Sequence, residues 1–137
     1  TKKLVDDVFM KNLKLDRPLT EVELQLMTVI WRLGDCTVKE VQSEVAKERD
    51  LAYTSIATIM KILETKGILR SAKSDKAHVY NALISKESYE AQSLSHLAEN
   101  LFEGDSSMMV MRLLNDSNLS KKDLEAIRKV LDSRLSP

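Results

Sequence analysis

Four hydroxyl side chains crowd the opening of one stretch of this chain, "AYTSIATIMKILETKGILRSAK" (residues 52–73): Tyr53, Thr54, Ser55 and Thr58. Covalent chemistry is not what they are set up for. The chain shows no nucleophile–base pair, no carboxylates paired on one face, no phosphate loop and no metal motif. Cys36 is the only cysteine, and His78 and His96 stand 18 residues apart with no Cys-x-x-Cys or His-x-x-x-His spacing. No catalytic residue, metal site or cofactor is therefore expected. What short hydroxyl side chains do well is bond phosphate oxygens and base edges, while Thr and Ala methyls contact thymine.

The same stretch indicates how those groups are held. Ile56, Ile59, Met60 and Leu63 recur at helical spacing and face a core, and Gly67 ends the helix. Tyr53, Thr54, Ser55, Ala57, Thr58, Lys61 and Thr65 are left outward. Small residues let a helix backbone enter a groove, and a helix start offers free amides and a positive dipole end to a phosphate. Lys61 lies further along, within reach of a nucleic-acid backbone. Ser and Thr at a helix start are also common caps, which is the structural alternative. No Arg or Asn occupies the first two turns, so base reading would lean on methyl contacts, shape and spacing.

The surrounding elements make a recognisable frame. Thr20-x-x-Glu23 and Thr37-x-x-Glu40 are capping boxes that start two helices before this one. Val22, Leu26, Val29, Ile30 and Leu33 stripe the first, which stops at Gly34; Val38, Val41 and Val45 stripe the second. Trp31 is expected as a core or domain-junction anchor. After Gly67 the period changes, and "ILRSAK", a polar break "SDK" and "AHVYNAL" read as a hairpin. Ile68, Val79 and Leu83 are its apolar positions; Arg70, Lys73 and Lys76 are cationic and flank the reading helix. Helix–helix–helix–hairpin predicts a winged helix-turn-helix, mainly α with a small β-hairpin wing.

Charge is distributed to suit. The chain has 21 basic and 21 acidic residues. Residues 53–80 nevertheless hold five basic against two acidic side chains, whereas residues 85–137 hold seven against nine. The locally basic segment is the one that would meet phosphates.

The last third predicts a different surface. Ser85 caps a helix striped by Leu94, Leu97 and Leu101; within "DSSMMVMRLLN" residues 108–114 are apolar apart from Arg112; a Ser120-capped helix carries Leu124, Ile127, Val130, Leu131 and Leu135. Three short helices make a thin core alone, so a homodimer is expected through Leu101, Met108, Met111, Leu113, Leu114, Leu124, Ile127 and Leu131. Folding of these helices back onto the first domain as a monomer is the alternative. The expected division is an arm over 1–18, a winged-helix DNA-binding domain over 19–84 and a helical dimerisation domain over 85–137. No run of 18 apolar residues and no leader-like opening occurs, which predicts a cytoplasmic protein with no membrane partner.

The segments "LTEVELQLMTVIW", "AYTSIATIMKILETKGIL" and "VYNALISKESYE" resemble the BlaI/MecI/CopY family of bacterial penicillinase and copper-export repressors. The resemblance spans about residues 19–135. It implies a winged helix with a helical dimerisation region, and repression by a dimer on palindromic double-stranded operator DNA. By the same resemblance Tyr53, Thr54, Ser55 and Thr58 fall on the reading helix, and Arg70 and Lys73–Lys76 on the wing. Leu113, Leu114, Leu124, Ile127 and Leu131 fall in the dimer region. The copper branch's Cys-x-Cys tail has no counterpart after Cys36. In the β-lactam branch a membrane sensor-protease triggers cleavage at an Asn-Phe bond, and here Arg112-Leu113 aligns with it. Lys76 stands where family wing tips often carry Gly. A sensor-protease or another inducer pathway is the implied source of derepression. A winged-helix protein-interaction module without specific DNA binding is the alternative function.

Overall fold

The structure, a computed structural model, describes residues 18–75 and 77–137. The expected arm and the wing-tip Lys76 lie outside the described residues, apart from Pro18. The described elements run α1 (Glu21–Leu33), α2 (Val38–Val45), α3 (Tyr53–Thr65), β1 (Leu69–Ser74), β2 (Ala77–Ala82), α4 (Lys86–Leu101), α5 (Ser106–Asp116) and α6 (Lys121–Leu135). The chain divides into two compact units between Ser93 and Leu94, inside α4.

In the first unit, local chemistry sets the helix ends. Both capping boxes form: Thr20 with Glu23, and Thr37 with Glu40. Each satisfies two backbone groups that a helix start would leave unpaired. At the end of α3, the Ile68 amide donates to the Leu63 carbonyl at 2.9 Å and the Gly67 amide to Glu64 at 3.0 Å. That is a Schellman closure, and it requires the φ of +80° that Gly67 adopts. Ile68 and Leu63, the two residues it brings together, are both buried.

One core joins these elements. Leu26, Met27 and Ile30 of α1 meet Val41 and Val45 of α2, Ile56, Met60 and Leu63 of α3, and Ile68, Leu69, Tyr80 and Ile84. Each fully buried Leu, Ile or Met contributes about 1.5–3 kcal/mol of transfer free energy. The antiparallel hairpin pairs Leu69 with Ala82 and Ser74 with Ala77. A two-stranded hairpin is marginal alone. This one gains a single bridge to a third stretch of backbone, because Cys36 and Tyr80 exchange both amide–carbonyl bonds at 2.9 and 2.7 Å. The short extended link between α1 and α2 thus serves as a minimal extra strand. The apolar positions expected for the hairpin need correction: Val79 and Leu83 are only half-buried, and Leu69, Tyr80 and Ile84 fill the core instead. Leu33, expected on the inward stripe of α1, is exposed.

Cys36 is buried, and burial pushes its thiol up to about 11, with Glu40 and Asp35 adding to the effect. It behaves as a small core hydrophobe.

The second unit holds the end of α4, then α5 and α6. Asp105 caps α5 by accepting the Met108 amide at 3.1 Å, and Ser120 and Asp123 form a third capping box at α6. Little apolar surface is buried here. Ala98 and Met109 are covered, whereas Leu101, Met108, Val110, Met111, Leu113, Leu124, Val130 and Leu131 are exposed.

Candidate nucleic-acid interface

The candidate interface centres on the first turn of α3, and the backbone there sets what its groups can do. Ala52 occupies the N-cap position, with φ −67° and ψ 151°, and provides no side-chain cap. The first intrahelical bond runs from the Ile56 amide to the Ala52 carbonyl. The amides of Tyr53, Thr54 and Ser55 therefore precede the helical ladder and point out of its end. The five other described helices have a capping side chain: Thr20, Thr37, Ser85, Asp105 and Ser120. The hydroxyls that open α3 are thus not caps. No acidic residue lies in this turn either, so the positive dipole end is left unneutralised.

The side chains divide by what already engages them. Tyr53, Thr54 and Ser55 are exposed, and the Ser55 hydroxyl makes no hydrogen bond within the described protein. Thr58 is exposed, but its hydroxyl donates to the Thr54 carbonyl at 2.8 Å, leaving its methyl and oxygen lone pairs outward. Ala57 is half-buried, with its methyl against the core. Lys61 is exposed, and its ammonium stands 3.7 Å from Glu64, a solvated pair worth little by itself.

Glu64 links α3 to the wing. It accepts a hydrogen bond from the Ser71 hydroxyl on β1. By strand alternation Leu69, Ser71 and Lys73 share the hairpin face turned to α3, with their partners Ala82, Tyr80 and His78. Lys73 and His78 are exposed at the outer end of that face. Arg70 lies on the opposite face, half-buried, its Nε donating to Asn81 Oδ1 at 2.9 Å. The wing cations therefore do not form one patch: Lys61 and Lys73 flank the α3 side, and Arg70 braces the far one.

Two features escaped the sequence reading. The Glu64–Ser71 tie depends on where the wing folds back. Lys66, which ends α3, is drawn to Glu23 of α1 at 2.9 Å. That ion pair holds the far end of α3 against the body of the unit. Glu23's place in a capping box was legible; its partner 43 residues away was not.

The penicillinase repressor family model matches residues 19–133. The chain belongs to the penicillinase repressor family. That family comprises transcriptional repressors rather than enzymes. The penicillinase repressor of Staphylococcus aureus is 22% identical over 114 residues, covering 83% of this chain and 90% of that protein. The penicillinase repressor of Bacillus licheniformis is 28% identical over 115 residues, covering 83% and 89%. The transcriptional regulator BlaI of Mycobacterium tuberculosis is 35% identical over 68 residues, 49% of each chain. Among solved structures, the B. licheniformis BlaI monomeric form in complex with the blaP half-operator has a TM-score of 0.49 and 28% identity. It covers 56% of this chain and 94% of that one. The described residues of this penicillinase repressor family member are mainly helical with one hairpin, in the element order the sequence pattern implied. No helix among the described residues is long and apolar enough to cross a membrane.

Proposed function

We propose that this protein is a dimeric repressor that binds a palindromic operator. The first turn of α3 enters the major groove, and the wing lies along the duplex. The observation that carries this reading is the start of α3: exposed, uncharged and uncapped, in a chain that belongs to a repressor family. Tyr53, Thr54, Ser55 and Thr58 meet phosphates and base edges, and Ala57 keeps the helix slim. Lys61 and Lys73 take flanking phosphates. Lys76, which the sequence places between the two strands, is proposed to join them, and Arg70 has a smaller share because it braces the other hairpin face.

Residues 94–137 supply the two-fold. Leu101, Met108, Met111, Leu113, Leu124 and Leu131 are exposed, and Leu114 and Ile127 half-buried. Apolar surface on this scale calls for a partner. A second copy of the same chain offers an isologous fit and matches a dyad operator. Relief of repression comes through a sensor-protease or another inducer pathway. Cleavage between Arg112 and Leu113 would require α5 to unwind first, because that bond lies within the helix and Arg112 pairs with Asp116 at 3.3 Å.

Gel shifts with upstream DNA from the native host, against scrambled duplex, test the reading. Dyad-containing duplex is expected to bind far more tightly, with affinity falling steeply as salt rises. Equal affinity for scrambled duplex at every salt concentration rules out specific repression and favours a protein-interaction module.

A further inference from the structure

The proposed operator contact needs the start of α3 and the outer wing to meet one duplex together. At its base the hairpin is fixed by burial: Leu69, Tyr80 and Ile84 lie in the core, and Cys36 bridges Tyr80. Its outer half has no such hold. Ala72, Lys73, Ser74, Ala77 and His78 are exposed. Among the described residues the Lys73 and His78 side chains make no hydrogen bond or ion pair. A two-stranded hairpin is marginal by itself, so the direction of its outer end depends on the last side chain that holds it.

That side chain is Ser71. It stands two residues outward of Leu69 and two short of Lys73, on the same face, opposite buried Tyr80. Its hydroxyl donates to Glu64 Oε2 of α3. Glu64 is 26% exposed, and its other oxygen stands 3.7 Å from the Lys61 ammonium. It is the only carboxylate on α3. A negative charge beside a surface meant for phosphates works against binding. Here the same carboxylate serves both flanking cations, Lys61 directly and Lys73 through Ser71.

We propose that the Glu64–Ser71 tie is a positioning device for operator binding: it fixes the outer wing against α3, so that Lys73 is already aimed at its phosphate when α3 docks. The inference rests on the operator-binding reading above. Both groups lie within the first unit, so each reading unit carries its own device. Without the tie the outer wing spreads over many directions, and Lys73 must be ordered at the moment of binding.

The test uses the full chain and upstream duplex that the wild type retains in gel shifts. The quantity compared is the cost of Lys73→Ala in different backgrounds. In the wild type that cost is expected to be about tenfold at low salt. Ser71→Ala alone should weaken binding about fivefold, and in that background the cost of Lys73→Ala should fall to about twofold. Ser71→Thr and Glu64→Gln keep a hydroxyl donor and an oxygen acceptor, and should hold the cost within about twofold of the wild-type value. Glu64→Ala removes the acceptor, should lower the cost as Ser71→Ala does, and carries the test if Ser71→Ala does not fold. An equal cost in every background overturns the tie, because a general loss of folded protein weakens all variants alike. So does a wild type in which Lys73→Ala costs nothing. A wild type that binds scrambled duplex as tightly as upstream duplex overturns the operator reading itself, which separates the two failures.

Discussion

Lys66→Met removes the charge that ties the end of α3 to α1 while keeping an unbranched stem. The Lys66 ammonium lies 2.9 Å from Glu23 Oε2, and Glu23 Oε1 accepts the Thr20 amide, also at 2.9 Å. One carboxylate therefore closes the α1 capping box and anchors α3. Burial pushes the Glu23 carboxyl up. The Lys66 hydrogen bond, the Thr20 amide and the Lys66 charge together outweigh burial and hold it below its ordinary 4.5. Exposed pairs contribute about 0–1 kcal/mol, and breaking a buried pair costs about 3–5 kcal/mol. The side chains here are 36% and 10% exposed, between those limits, and Glu23 keeps its Thr20 bond in the variant. A loss of about 1.5–2 kcal/mol at neutral pH follows.

The pH dependence follows from the direction of the shift. A carboxyl whose folded pKa is depressed stabilises the protein above its unfolded pKa, and that contribution is lost as pH falls through the folded value. The gap between wild type and Lys66→Met should be full at pH 7 and close as pH falls from the ordinary 4.5 through the lower folded value. Urea denaturation followed by the fluorescence of Trp31, the single tryptophan, measures it. Equal stability at pH 7 refutes the anchoring role. A gap that does not shrink at all as the protein is acidified to the point where the wild type unfolds refutes the assignment to Glu23.

Lys61→Ala and Lys73→Ala should each weaken operator binding and lower the slope of log K against log salt by about 1, with a smaller effect from Arg70→Ala; titrations at several salt concentrations compare them. Met111→Lys or Ile127→Lys places an unpaired charge twice in an isologous interface and should weaken the dimer by more than about a hundredfold; sedimentation showing an unchanged dimer contradicts the assignment. Gly67→Ala meets no atom within 4 Å but must adopt a φ of +80°, so a loss of about 1 kcal/mol is expected in thermal unfolding. Cys36, with its thiol pushed up to about 11, should resist alkylation at pH 8 in the folded protein and react quickly in denaturant.

How far the sequence carried depends on how local each determinant is. Thr20–Glu23 and Thr37–Glu40 are three residues apart, and a box at that spacing needs only its own helix turn, so both starts were legible. Gly67 was legible as a stop because a positive φ favours glycine. The hairpin was legible as an element but not in its inward face. Leu69 and Tyr80 are turned to the core by the register and by the Cys36 bridge, and neither is a local property. Lys66 is one of the five basic residues counted in 53–80, yet a carboxylate 43 residues earlier holds it. Arg70 and Lys73 both counted as wing cations, although their odd spacing of three along a strand already puts them on opposite faces. The hydroxyl-rich start of α3 was open to two readings, capping or contact. The choice rests on a single backbone position. With Ala52 at the cap, Tyr53, Thr54 and Ser55 are already inside the helix, where their hydroxyls cannot close its end. Capping would need one of those hydroxyl residues shifted back to position 52. An Ala52→Ser variant would supply that cap, stabilising α3 while occupying an amide that the proposed function gives to a phosphate. Greater stability with weaker operator binding is the signature that distinguishes a contact surface from an ordinary helix end.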